Sequence, residues 1–199
     1  KKERKIQSRT KEFSLSSVFD QEGRVSKQNT PHILIARGIW NMRCFAMAYS
    51  IMLDAGHGGR DPGAVYNGRQ EKDDTLALTL AVGEILQNNG IDVEYTRTTD
   101  VYETPLEKAM EANNAGADFF VSIHRNSFPV DNEVSGVETL VYDLSGLKYQ
   151  VAQDINEQLE SVGFVDLGVK ARPGLVVLRR TEMPAVLVEA GFLNSDVDN

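Results

Sequence analysis

Residues 50–59 read Ser-Ile-Met-Leu-Asp-Ala-Gly-His-Gly-Gly, and this stretch decides the predicted fold. A short apolar run that ends in an acidic residue predicts a buried first strand over residues 50–54. The glycines that follow predict a tight loop around His57. Downstream, short apolar runs alternate with longer segments of helical period, which is typical of βαβ units. We therefore expect a single α/β domain with a mostly parallel, twisted sheet and helices on both faces.

The rest of the chain supplies the other predicted elements. Helices are predicted over residues 71–89, from residue 104 onward, where Thr-Pro opens a helix, and from residue 147 to a stop at residue 163. Further strands are predicted over residues 91–97, 118–124, 136–142, 175–178 and 185–189.

Charge is unevenly distributed along the 199 residues. Residues 1–45 carry ten Lys and Arg against four Asp and Glu, whereas the remainder carries eleven against twenty-five. We interpret residues 1–48 as a basic, flexible N-terminal extension and residues 49–199 as the folded domain. The extension is either a solvated arm or a contact to an anionic wall or membrane surface. The acidic domain argues against a nucleic-acid partner, and no apolar run is long enough for a transmembrane segment.

Side chains that can bind a metal stand at or just after the ends of predicted strands. His57 follows the first strand, His124 ends a central strand and Glu189 ends the last strand, while Glu71 opens the helix after the first strand. The carboxyl ends of parallel strands meet at one edge of a sheet, so we expect these four side chains to converge.

A zinc site is the interpretation that these residues favour. The single cysteine, Cys44, excludes a thiolate cluster, so a metal must be held by histidine and carboxylate. His57, Glu71 and His124 make a set of three ligands, which is typical of catalytic zinc with an open fourth position. This reasoning leaves the division of roles between Glu71 and Glu189 open.

Several blocks of the sequence, in order, resemble the zinc-dependent N-acetylmuramoyl-L-alanine amidases of autolysins, spore enzymes and phage lytic enzymes. The blocks are residues 53–59, 61–64, 71–73, 112–113, 121–126, 136–138, 168–170, 177–179 and 184–192. The resemblance implies hydrolysis of the amide bond between N-acetylmuramic acid and L-alanine in bacterial peptidoglycan. It implies one Zn²⁺ per chain, bound by His57, Glu71 and His124, with Glu189 as the catalytic carboxylate.

The resemblance also implies peptidoglycan as the partner and action outside the cell at the wall, although no export signal is evident in this chain. Asn126 lies two residues from a predicted ligand and is a candidate for substrate contact. Arg172 and Arg179 are candidates for binding the carboxylates of the stem peptide, with plain salt bridges as the alternative.

The chain departs from the family pattern in three places. Lys108 stands where an arginine is expected, and residues 1–48 match no part of the family. Residues 195–198 resemble the start of the helix with which the family closes, and the chain stops at Asn199. We therefore expect the closing C-terminal helix to be missing and part of the sheet to be uncovered, unless a partner chain covers it.

Two other functions fit the same residues. A zinc peptidase that cuts within the stem peptide uses a similar ligand set. A wall-binding module without catalysis is the other alternative, and the presence of all four chemical positions argues against it.

Overall fold

The computed structural model describes residues 31–40 and 49–199. Its strands are β1 (Ser50–Ala55), β2 (Val65–Tyr66), β3 (Arg69–Gln70), β4 (Asp92–Tyr95), β5 (Phe119–Asn126), β6 (Val137–Val141), β7 (Asp166–Ala171) and β8 (Ala185–Phe192). Its helices are α1 (Pro31–Trp40), α2 (Glu71–Asn88), α3 (Pro105–Ala115), α4 (Gly146–Glu160) and α5 (Val176–Arg180).

The main sheet has six strands in the order β4, β1, β5, β8, β6, β7, and β2 pairs with β3 in a separate hairpin. β1 is parallel to β4 and β5, and β5 is parallel to β8. β6 is antiparallel to β8 and parallel to β7. Four adjacent strands therefore end at one edge of the sheet. The predicted single α/β domain with a mostly parallel sheet is confirmed.

Helices cover both faces of this sheet. On one face α1, α2 and α4 bury an apolar core against the strands, and on the other face α3 and α5 bury a smaller one. The largest fully buried side chains of the two cores include Phe119, Phe120, Ile155 and Leu159. β5 is buried along most of its length, as expected of a central strand covered on both sides.

The start of α3 follows directly from its sequence. The Thr104 side chain accepts a hydrogen bond from the Glu107 backbone at 3.2 Å, and the Glu107 carboxylate accepts one from the Thr104 backbone at 2.7 Å. Pro105 occupies the first turn, where its missing N–H costs nothing. The sequence prediction rested on the proline, and the reciprocal cap is a second reason for the helix to begin here.

The prediction for residues 175–178 was wrong. These residues were expected to form a strand, but the chain forms β7 over Asp166–Ala171 and then the short helix α5 over Val176–Arg180. Val177 and Leu178 are buried in the smaller core. An apolar run this short has no periodicity that separates a strand from one turn of helix.

Helix α1 corrects the predicted domain boundary at residue 49. Ile35 and Ile39 are fully buried, and α1 packs against both α2 and α4. A Cβ added to Gly38 would lie 2.6 Å from the Ile155 side chain, so the two helices are in close contact. Residues 31–40 are thus part of the domain, because their isoleucines complete its core. The remainder of the predicted extension, residues 1–30 and 41–48, lies outside the described residues.

Residues 195–199 form a turn and not the predicted first turn of a helix. The Asp198 carboxylate accepts hydrogen bonds from the backbone of Gly136 at 2.9 Å and of Phe192 at 2.8 Å. On the face of the sheet that packs on α2 and α4, helix α1 packs against these two helices and shares their apolar core. Within the described ranges, none of the helices has the length and apolar character needed to cross a bilayer.

Candidate metal centre

Three of the predicted side chains meet at the carboxyl edge of the sheet. His57 Nε2 lies 3.1 Å from Glu71 Oε1, and His124 Nδ1 lies 3.0 Å from the same oxygen. One ligand atom from each of the three residues lies within 4.8 Å of the others. The convergence expected from the strand ends is therefore present for His57, Glu71 and His124.

Each of these residues owes its position to a different element. His57 lies in the loop after β1, with a backbone φ of 60°, and Glu71 is the first residue of α2. His124 lies in β5, where the pairing with β8 shifts register between His124 and Asn126. An irregularity of this kind turns the side chains of a strand locally, and such irregularities are common beside functional sites.

The Glu71 carboxylate is buried and fully engaged. Its Oε1 accepts a hydrogen bond from the Arg125 backbone at 3.1 Å in addition to the two histidine contacts, and its Oε2 accepts one from the Ala64 backbone at 2.9 Å. Burial raises the pKa of Glu71, but the hydrogen bonds and charges of His124 and His57 outweigh burial and hold the pKa well below its ordinary value. Glu71 is therefore ionised at neutral pH, as a metal ligand must be.

Asp61 orients His57, and the sequence did not reveal this role. His57 Nδ1 lies 2.9 Å from Asp61 Oδ2, and the backbone of Gly63 donates to Asp61 Oδ1 at 3.1 Å. When Nδ1 carries the proton toward Asp61, Nε2 is left with a free lone pair facing Glu71. Burial lowers the pKa of His57, whereas hydrogen bonds to Glu71 and Asp61 raise it and prevail. The available signal was an acidic residue four positions after a predicted ligand.

Glu189 lies next to the cluster but in a different environment. In the sheet it pairs with His124 of β5 on one side and with Glu138 of β6 on the other. Its Oε2 is shielded from solvent and has no hydrogen-bond partner among the described residues. Burial, with the charges of Glu71 and Glu138, raises the pKa of Glu189 to about 7, against the effect of His124. Glu189 therefore titrates near neutral pH, where a general base is most effective.

The residues present fit a zinc ion. Two imidazoles and one carboxylate are a ligand set that zinc uses in catalytic sites. Glycines leave the room around them: a Cβ added to Gly56 would lie 2.4 Å from the His124 ring, and one added to Gly63 would lie 2.5 Å from Glu71 Oε2. The sequence thus keeps side chains out of the space beside the ligands.

Comparison with known proteins identifies the family. The sequence profile of N-acetylmuramoyl-L-alanine amidases matches residues 51–199. The chain belongs to this family. The match covers the main sheet from Ile51 onward and every residue of the metal cluster, and it begins after α1.

Individual relatives and solved structures agree with this assignment. The chain is 41% identical to the sporulation-specific N-acetylmuramoyl-L-alanine amidase of Bacillus subtilis over 152 residues, which cover 74% of this chain and 58% of that protein. It is 40% identical to the endolysin of Bacillus phage SPP1, over 75% of this chain and 56% of the endolysin. The crystal structure of an N-acetylmuramoyl-L-alanine amidase from Clostridium difficile 630 superposes with a TM-score of 0.71 at 34% identity, covering 76% of this chain and 83% of that one. The chain spans a little over half the length of the first two relatives.

Lys108, for which the resemblance implied an arginine, lies against the backbone at the start of the loop that carries His57. Its Nζ donates to Asp54 Oδ1 at 2.7 Å and to the Ala55 carbonyl at 2.6 Å, and both Lys108 and Asp54 are buried. Asp54 also accepts hydrogen bonds from Ser122 at 2.6 Å and from Thr96 at 2.8 Å. The ammonium thus pairs with a buried carboxylate and supports the start of the His57 loop.

The three candidate substrate residues of this amidase domain fall in two places. Asn126 lies at the metal edge, and its amide donates to Glu138 Oε1 at 3.0 Å, while Glu138 also pairs with Lys170. The Arg172 backbone donates to the Val141 carbonyl, and Val141 pairs with Val186 near the start of β8.

Arg179 lies in α5, just before β8 begins at Ala185. Glu189 lies four residues further along the strand than Ala185, or about 13 Å. The structure therefore does not bring Arg172 or Arg179 to the metal cluster. Both are exposed at the opposite end of β8.

Proposed function

We propose that the chain hydrolyses the amide bond between N-acetylmuramic acid and L-alanine in bacterial peptidoglycan, with one zinc ion bound by His57, Glu71 and His124. The observation that carries the proposal is the cluster of these three residues beside Glu189, in a chain of the amidase family. Peptidoglycan is then the partner, and the wall outside the cell is the place of action.

Glu189 and Asp61 have separate roles in this proposal. The chemistry that zinc supplies at such a site is polarisation of a carbonyl oxygen and activation of water. Glu189, which pairs with His124 in the sheet and has a shielded carboxylate oxygen without a partner among the described residues, takes the proton of the attacking water and delivers it to the leaving amine nitrogen. Asp61 holds the His57 ring in the tautomer that turns Nε2 toward Glu71.

Digestion of purified peptidoglycan tests the reaction. We expect new amino termini on L-alanine and intact muramic acid, read by amino-terminal labelling and mass spectrometry of the products. The Glu189→Gln protein, which keeps the size of the side chain but not its basicity, is the control. New termini inside the stem peptide would identify a peptidase, and an absence of new termini with the protein bound to the wall would identify a binding module.

Metal content tests the site separately from the reaction. We expect one zinc per chain in the purified protein and loss of activity on chelation. Glu71→Gln should lose zinc, since an amide is a poorer ligand than a carboxylate, whereas Glu189→Gln should retain it. The reverse pattern would exchange the two roles.

A further inference from the structure

Arg97 lies directly under the glycine-rich loop that follows β1. It is buried, with 3% of its surface exposed, and it contacts oxygen atoms of three separate segments. Its Nε donates to the Ala55 carbonyl at 3.0 Å and its Nη2 to the Gly56 carbonyl at 2.9 Å. Nη2 also donates to the Lys72 carbonyl in the first turn of α2 at 2.9 Å, and Nη1 donates to the Thr99 carbonyl at 3.2 Å.

Thr75 of α2 completes this contact between the loop and the helix. Its Oγ1 donates to the Gly56 carbonyl at 2.7 Å and lies 3.2 Å from Arg97 Nη2. The loop packs tightly on the guanidinium, since a Cβ added to Gly58 would lie 3.0 Å from Arg97 Nε. Arg97 and Thr75 therefore join the loop that carries His57 to the helix that begins with Glu71.

The partners of Arg97 are unusual for a buried cation. Among the described residues it makes no ion pair, and its hydrogen bonds go to carbonyl and hydroxyl oxygens. Burying a charged group lowers the stability of the fold unless its donors have hydrogen-bond partners. The loss of any one of these acceptors would therefore leave part of the buried guanidinium without a partner. His57, which follows Gly56 in the loop, has a φ of 60°. This value is uncommon for a residue with a side chain, and it persists where the surrounding structure fixes the backbone.

We propose that Arg97 is a positioning residue of the metal centre. By holding the carbonyls before His57 and the first turn of α2 together, it fixes the separation of His57 and Glu71. The inference rests on the zinc site proposed above. Groups that orient metal ligands typically change metal affinity by about 10- to 100-fold, and we expect an effect of this size here.

The test measures zinc affinity and not turnover. Arg97→Lys keeps the charge but replaces the five donors of the planar guanidinium with the three of one ammonium, so it cannot keep all the bonds to the loop, to α2 and to Thr99. We expect its zinc dissociation constant, from competition with a chromophoric chelator, to rise by about 10- to 100-fold. The absorption spectrum of the Co²⁺-loaded protein should change as well, because the ligand geometry changes. Thr75→Val removes the second contact without changing size and should weaken zinc binding in the same direction, while Thr75→Ser should restore it.

Asn156→Ala is the matched control. Asn156 is a buried polar residue whose hydrogen bonds go to Thr139 and Asp166, away from the loop, so its loss should lower the melting temperature without altering zinc affinity. If Arg97→Lys and Thr75→Val melt earlier but bind zinc as the wild type does, the proposal is overturned. A wild type that holds no zinc would overturn the metal site itself. Should Arg97→Lys not fold, the Thr75 pair decides the question.

Discussion

Glu189 should destabilise the metal-free protein above neutral pH, and replacing it with glutamine should remove this cost. Its Oε2 is shielded and unpaired among the described residues, and burial raises the pKa of the carboxyl from 4.5 to about 7. The unfolded chain loses this proton near pH 4.5, whereas the folded chain holds it until about pH 7. The stabilising effect of the proton is therefore complete below pH 4.5 and is lost as pH rises to about 7.

The size of the effect follows from the shift. A change from 4.5 to about 7 corresponds to at most about 3 kcal/mol of unfolding free energy. Because Glu189 as a whole is only partly buried, solvent screening reduces this to about 2 kcal/mol. Glutamine carries no charge at any of these pH values. At pH 8 the metal-free Glu189→Gln protein should therefore melt about 4–8 °C above the wild type, the shift expected for a domain of this size.

The assay is thermal and urea unfolding of chelator-treated protein at pH 5 and pH 8. The stabilisation by Glu189→Gln should be large at pH 8 and small at pH 5. Glu160→Gln is the control, because it removes an exposed carboxylate at the end of α4 and should leave the dependence of stability on pH unchanged. After zinc is restored, turnover of Glu189→Gln should fall by about 10²- to 10⁴-fold. An equal stability of wild type and Glu189→Gln at pH 8, or a difference independent of pH, would refute the reasoning.

Two further predictions concern the support of the site and the boundary of the domain. Asp61→Asn should raise the zinc dissociation constant by about 10- to 100-fold in a competition titration, because the amide holds the His57 tautomer less firmly; unchanged affinity would contradict this role. Ile39→Ala should lower the unfolding free energy by about 2–5 kcal/mol in urea, since it opens a cavity where α1 meets the core, while Arg37→Ala on the same helix should have little effect. If both α1 variants unfold like the wild type, the helix does not contribute to the core.

Much of the site could be predicted because the ends of buried strands can be recognised in the sequence. His57 and His124 each follow an apolar run, and the rule that parallel strands end at one edge was enough to bring them together with Glu71. Asp61 and Arg97 were not predicted. Their roles depend on hydrogen bonds to an imidazole and to backbone carbonyls, and such bonds leave no periodic trace in a sequence. Arg97 did carry one signal, since it ends a predicted strand at the same edge.

The N-terminal boundary was missed for a different reason. The first thirty residues are polar and basic, and the predicted N-terminal extension was continued from them to residue 48. Within this stretch Ile35 and Ile39 are spaced by one helical turn, and Pro31 is placed where a helix can begin. Two turns of apolar periodicity are too short to outweigh a polar context by pattern alone. What makes α1 part of the fold is its packing on α2 and α4, which a single sequence does not display.

The roles of the two glutamates, which the sequence left open, are supported by their surroundings. A metal ligand must stay ionised and stay in place, and Glu71 meets both needs because both of its oxygens are engaged and its pKa is strongly lowered. A general base must accept and release a proton near neutral pH, and an oxygen without a partner in a buried place, as in Glu189, has that property. Engaging Glu189 in hydrogen bonds as Glu71 is engaged would stabilise the fold but lower its basicity. The cost in stability at Glu189 is therefore a consequence of the chemistry proposed for it.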